Sequence, residues 1–139
     1  MEAEGLVYFL AATMAFALAN GIKIVLGLVC GERHWRRLVS SGGMPSAHTA
    51  SIAALAVTIG IQTGFASAVF ALSVVMTAVI AYDATHVRRS VGEQGEALSK
   101  MLSKGVRKPY KSDGHTYAEV LAGALLGVLV GIVVAFVYG

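Results

Sequence analysis

Two histidines stand among glycines and hydroxyl residues, each at the start of an apolar run: Gly42-Gly43-Met44-Pro45-Ser46-Ala47-His48 and Gly114-His115-Thr116-Tyr117-Ala118-Glu119. Two imidazoles facing one water–lipid boundary can hold an anion between them. Phosphoryl transfer through a phosphohistidine, with the second histidine as acid, needs such an arrangement. His115 and Glu119 are four residues apart, so on a helix they share a face one turn apart. A carboxylate there can accept the Nδ1 hydrogen of the ring, fix its tautomer and leave Nε2 to attack. Taken alone, the pair also reads as an ordinary helix start.

The first motif carries a different chemistry. Gly42 and Gly43 permit a tight backbone path, and Pro45 suits the first position of a helix. The N–H groups of Ser46, Ala47 and His48 would then lack intrahelical partners and form an anion cradle at a positive dipole end. The Ser46 hydroxyl would add a donor, and His48 would reach the same anion. The plainer reading is a helix cap. Lys23 is a third candidate. It lies about 10 Å below the end of its apolar run by helical rise, where a lysine needs a partner, an aqueous cavity or a snorkelling path. Asp83 is a partner for Lys23, or else for Arg88 or Arg89. A metal site built on Asp83 and His86 lacks a diagnostic ligand spacing.

These residues must be positioned by membrane-crossing elements. The 139-residue chain is 56% hydrophobic and 14% charged, far from the composition of an ordinary soluble domain. Four stretches approach the roughly 20 apolar residues that span about 30 Å of hydrocarbon: Leu6–Cys30, Pro45–Ile61, Phe65–Asp83 and Thr116–Tyr138, the second being short. The first follows Glu2 and Glu4 rather than a basic segment, unlike a signal peptide. His86–Lys104 has Val91, Leu98, Met101 and Leu102 at roughly helical spacing, which predicts an amphipathic helix along the interface; a solvated connector is the alternative. The expected fold class is therefore all-α: one domain, residues 1–139, with four transmembrane helices plus an interfacial helix. Of 11 Lys and Arg, all but Lys23 fall between spans one and two or between spans three and four. The positive-inside rule puts both loops, and the candidate site, in the cytoplasm and both termini outside. Gly123, Gly127 and Gly131 form a small-x-x-x-small face for close helix approach, within the chain or in a homodimer. Cys30 is the single cysteine, so no internal disulfide can form.

Pro45-Ser46-Ala47-His48 and His115-x-x-x-Glu119 resemble the Pro-Ser-Gly-His and His-x-x-x-Asp motifs of the type 2 phosphatidic acid phosphatase (PAP2) and vanadium haloperoxidase superfamily. Gly42 to His48, Asp83 with Val87-Arg88-Arg89, and Gly114-His115-Thr116 with Glu119-Val120 are more similar still to its small divergent branch. The resemblance spans Lys23 to Gly127. It implies that His115 is the nucleophile, that Glu119 orients it, and that His48 is the acid and then the base. It implies Lys23, Ser46, Ala47 and Arg88 or Arg89 as phosphate ligands, with Arg37 standing in for a first-motif arginine. Asp83, Gly42 and Gly43 would support them. The sequence departs from the superfamily at three points. Cys30 stands seven residues after Lys23, where an arginine is usual; Pro109 stands six before His115, where another is usual; and Ala47 replaces a glycine.

The resemblance implies an integral-membrane lipid phosphatase that needs no metal or cofactor. Its substrate would be a phospholipid or an isoprenyl diphosphate, its surroundings membrane lipids, and no nucleic acid is expected. Two other classes stay open: a catalytically silent lipid- or anion-binding membrane protein, and a small transporter component with Lys23 and Asp83 as intramembrane charges.

Overall fold

The structure, a computed structural model, describes residues 2–31, 43–102 and 114–139. Among these residues it contains helices and turns but no strand. The helices are α1 (Glu2–Val29), α2 (Ala47–Thr63), α3 (Ala68–Tyr82), α4 (Arg88–Met101) and α5 (Tyr117–Tyr138). A π-helical turn, Asp83–Val87, joins α3 to α4 without a break.

The core is built of small side chains because the helices approach closely. On α1, Ala11, Ala15 and Ala19 are fully buried at intervals of four. They meet Ala47, Ala50 and Ala54 of α2 and Val130 and Val134 of α5. On α5, Gly123, Gly127 and Gly131 lie against the backbone carbonyls of Ser46, Ala50 and Ala54 respectively. A methyl at any of the three would collide with the carbonyl opposite it. The glycine face is thus taken up inside the chain by α2. Polar side chains pin the same seams: Thr58 Oγ1 reaches Ala54 O at 2.9 Å and Gly131 O at 3.3 Å, and Ser51 Oγ donates to Ala12 O at 3.0 Å.

α2 is the hub on which α1, α3 and α5 pack, and α1 and α3 flank it without an extended mutual contact. Its 17 residues extend about 25 Å at 1.5 Å per residue. Among the described residues, three helical stretches are long and apolar enough to cross a bilayer: Gly5–Val29, Tyr117–Tyr138, and the continuous Ala68–Met101. Their outward faces expose Phe9, Leu72, Val75, Leu121, Leu125 and Phe136 while the interior holds alanine and glycine. This distribution suits a bundle whose surroundings are as apolar as its side chains. At one end of the bundle, Gly64 caps α2 with φ 89°, and Ser67 opens α3 by accepting from Phe70 N–H.

The segment after α3 differs from the expected loop and separate helix. The chain continues as helix to Met101 because Tyr82 to Val91 contains no glycine or proline to stop it. α4 is amphipathic, with Val87, Val91, Leu98 and Met101 exposed on it or at its start. Among the described residues it has no extensive packing on another helix.

Candidate active site

The end of α1, the start of α2, the end of α3 and the start of α5 meet at one end of the bundle. α5 opens with a capping box. Thr116 Oγ1 accepts from Glu119 N–H at 3.3 Å, and Glu119 Oε2 accepts from Thr116 N–H at 2.9 Å. The same carboxylate oxygen lies 3.1 Å from His115 Nδ1. An ionised carboxylate only accepts, so Nδ1 carries the hydrogen and Nε2 is the lone-pair nitrogen. His115 is 4% exposed. One group therefore caps the helix and orients the ring, as the spacing of the two residues predicted.

The π-helical turn holds the backbone of this segment. Arg88 N–H reaches back five residues to Asp83 O, where an α-helix would have used Ala84 O. Ala84 O instead accepts from His115 N–H at 2.9 Å. Gly114 packs directly on the backbone of Arg89, where a methyl would collide. Sequence reasoning missed both contacts, because carbonyls carry no residue identity. The glycine next to His115 is the signal that marks the close crossing.

The first motif is arranged differently from its sequence reading. α2 starts at Ala47, with Ser46 rather than Pro45 at its boundary, because serine is a strong N-cap. Ser46 is fully buried, and its hydroxyl accepts from Thr49 N–H and Thr49 Oγ1–H. It is a cap and not a surface donor. Ser46 N–H is also engaged, donating to Glu119 O at 3.0 Å. This bond ties the two histidine motifs together at the backbone. The Ala47 methyl enters the alanine core instead of bordering a pocket. The N–H groups of Ala47 and His48, in the first turn of α2, have no intrahelical partner.

His48 is exposed, with its ring edge-on to Phe16 at 5.8 Å between centroids. It lies within electrostatic reach of Arg88, His115, Lys23 and Asp83. Lys23 is likewise in reach of Glu119. The aliphatic stem of Lys23 runs past Gly43, whose φ of 95° and proximity to Lys23 Cδ both disfavour a side chain there. Arg88 Nε binds Asp83 Oδ2 at 2.6 Å, which answers the pairing left open for Asp83. Arg89 instead pairs with Glu93 along the exposed side of α4 at 3.1 Å. Of the two arginines, Arg88 faces the histidines. Arg37 and Gly42 lie outside the described residues.

His48 and Arg88 form the mouth of a cavity of about 360 Å³ whose remaining lining is Phe16, Ser51, Ile52, Leu55 and Ile80. It sits between α1 and α3 on the face of α2. Its polar lining is His48, Ser51 and the Asp83-paired Arg88, and its other walls are apolar, so it suits a molecule with a polar head and a hydrocarbon body. Among the described residues no three His, Cys, Asp or Glu side chains cluster as metal ligands would.

Comparison with known proteins agrees with the motif reading. A family model described as the Divergent PAP2 family matches residues 6–130, and the chain belongs to that family. A Bacillus subtilis (strain 168) protein described as the uncharacterized membrane protein YuiD is 33% identical over 94 residues, covering 67% of this chain. The matched region spans 60% of that relative's length. No solved structure matches the chain.

Proposed function

We propose that this member of the Divergent PAP2 family is an integral-membrane phosphatase acting on the phosphomonoester or diphosphate of a lipid. The observation that carries the reading is that His48 and Arg88 line one largely apolar cavity, with Lys23 and the Glu119-bound His115 within electrostatic reach of His48. Lys23 comes from α1, His48 from α2, Arg88 from the start of α4, and the His115–Glu119 pair from the start of α5.

In the first step His115 Nε2 attacks phosphorus and the bond to the lipid oxygen breaks. Protonated His48 gives its proton to that leaving oxygen. The ring of His115 becomes a phosphorylated cation, and the Glu119 carboxylate on Nδ1–H stabilises it. In the second step neutral His48 takes a proton from water, whose oxygen displaces His115 from phosphorus and releases phosphate. Lys23, Arg88 and the two free N–H groups of α2 face the charge on the non-bridging oxygens. Ser46 and Arg89 have no part in this step.

The membrane setting follows the same reading. α2 is the fourth, central span, short because its neighbours surround it, and the basic segments at the site end lie in the cytoplasm. The description of the relative YuiD as a membrane protein supports the membrane setting. Binding without turnover is the second reading. Burial of Ser46 and the turn of Arg89 toward Glu93 favour it, because they leave fewer anion donors. The transporter reading loses its intramembrane acid, since Asp83 is paired with Arg88.

The deciding assay is phosphate release from a panel of lipid phosphates and diphosphates in mixed micelles with chelator present. Wild-type protein should turn over, and vanadate should inhibit it. His115→Ala should abolish release with the fold intact, and His48→Ala should reduce it severely. Turnover by His115→Ala at the wild-type rate would remove the nucleophile, and anion binding with no release by any form would select the second reading.

A further inference from the structure

We propose that His86 is a positioning residue for His115, acting through Tyr117 to lock the segment 114–117 onto the π-helical turn. The proposal rests on the reading of His115 as nucleophile.

His86 takes no part in the chemistry described above, yet it is the best-connected side chain on the turn. Its Nδ1 lies 2.9 Å from Thr85 Oγ1, and its Nε2 lies 3.2 Å from Tyr117 Oη. Its ring stacks on Tyr82 at 4.2 Å with planes 11° apart. It meets the Tyr117 ring edge-on at 5.9 Å. Tyr117 is the first residue of α5, two positions after His115.

The direction of each bond can be worked out. Thr85 Oγ1 also lies 3.0 Å from Ala81 O and 3.2 Å from Tyr82 O. Those carbonyls only accept, and a hydroxyl has a single hydrogen. With the Thr85 hydrogen given to the helix backbone, its oxygen accepts from His86. In a neutral ring His86 Nδ1 is then the protonated nitrogen and Nε2 the acceptor, to which Tyr117 O–H donates. The result is a continuous chain: Tyr117 to His86, His86 to Thr85, and Thr85 to the last turn of α3.

This chain complements the backbone contacts already described. Gly114 rests on Arg89, His115 N–H is held by Ala84 O, and Tyr117 is held by His86. All three anchors lie within Ala84 to Arg89, and they grip the nucleophile from both sides. The turn that exposes Ala84 O also carries His86, which gives this π-helical segment a function, as such segments often have. A nucleophile has to be held to within about half an ångström, and misplacement by about 1 Å can cost on the order of 100-fold in rate. Loss of one anchor among three should cost less, about tenfold. The lining of the apolar cavity includes neither His86 nor Tyr117, so KM should not follow.

The test compares wild type, Tyr117→Phe, His86→Ala and the double variant. Two readouts are taken: kcat and KM for lipid-phosphate hydrolysis, and amide hydrogen exchange of the peptide covering residues 114–118 in micelles. Each single variant should lower kcat about tenfold at unchanged KM, and the double should be no worse than the worse single. Exchange at residues 114–118 should accelerate while that of α2 stays unchanged. Unchanged kcat and exchange in Tyr117→Phe would overturn the proposal and leave Tyr117 a simple interfacial aromatic. So would independent, multiplying losses in the double variant, or a change in KM alone. If wild type hydrolyses no lipid phosphate, the phosphatase reading fails by itself. The exchange result still decides the lock: acceleration upholds it, and its absence overturns it.

Discussion

Replacing Glu119 by glutamine isolates what a charge contributes to the His115 ring. In the structure one oxygen of Glu119 accepts from both Thr116 N–H and His115 Nδ1–H. A glutamine carbonyl oxygen can keep both bonds, so the helix cap and the ring orientation survive. What disappears is the negative charge facing a ring that becomes cationic when Nε2 binds phosphorus. A hydrogen bond to a charged group contributes about 1.5–3 kcal/mol and a neutral one about 0.5–1.5. The difference of about 1–1.5 kcal/mol corresponds to about 5- to 13-fold in rate at about 1.4 kcal/mol per tenfold. Glu119→Ala also removes the orienting contact and one arm of the capping box, which itself contributes about 1 kcal/mol to stability. Its rate should fall well below that of the glutamine variant. The assay is steady-state phosphate release in mixed micelles, with thermal unfolding measured on the same samples. A glutamine variant at the wild-type rate, or an alanine variant equal to the glutamine one, would refute the assignment of Glu119 as the partner of the nucleophile.

Arg88→Ala should lower phosphate release by more than tenfold, whereas Arg89→Ala should stay within about twofold, because only Arg88 lies beside His48 and the exposed Arg89–Glu93 pair contributes little. Equal effects in the same release assay would mean that the turn does not select between them. Gly127→Ala should destabilise the bundle by about 1–3 kcal/mol through overpacking against Ala50. Gly21→Ala, with open space around the added methyl, should instead be neutral or stabilise by up to about 1 kcal/mol; thermal unfolding in detergent gives both values, and equal shifts would contradict the α2–α5 seam. Cys30 is exposed just beyond the end of α1, on the side of the site. A membrane-impermeant maleimide should label it only after cells are permeabilised, and labelling of intact cells would reverse the proposed orientation.

Much of this arrangement was legible in the residues, and the parts that were not share a physical cause. Apolar runs announced the long helices, and the i, i+4 spacing of His115 and Glu119 announced their contact. The Gly123, Gly127 and Gly131 repeat announced a close seam, although only packing could show that α2 fills it. Ser46 was ambiguous because the same hydroxyl can bind an anion or cap a helix, and a shift of one residue in the helix start decides between them. Arg88 and Arg89 are adjacent, so they point about 100° apart on a helix. Which of them faces the site depends on the extra residue inserted by the π-helical turn. That turn has no residue signature, and neither do the carbonyls of Ala84 and Glu119 that hold the two motifs.

The bond from Ser46 N–H to Glu119 O joins the two histidine-bearing strips of backbone next to the close contact of Gly123 with Ser46 O. The ring-to-ring spacing is therefore a property of one interhelical joint, and the linkers on either side do not set it. The turn at the end of α3 also holds His115, so α1 is the wall of the cleft that can shift without breaking this joint. Under the proposed phosphatase reading, the α1 side is where hydrocarbon bodies of different bulk would be accommodated, while the two histidine motifs stay joined.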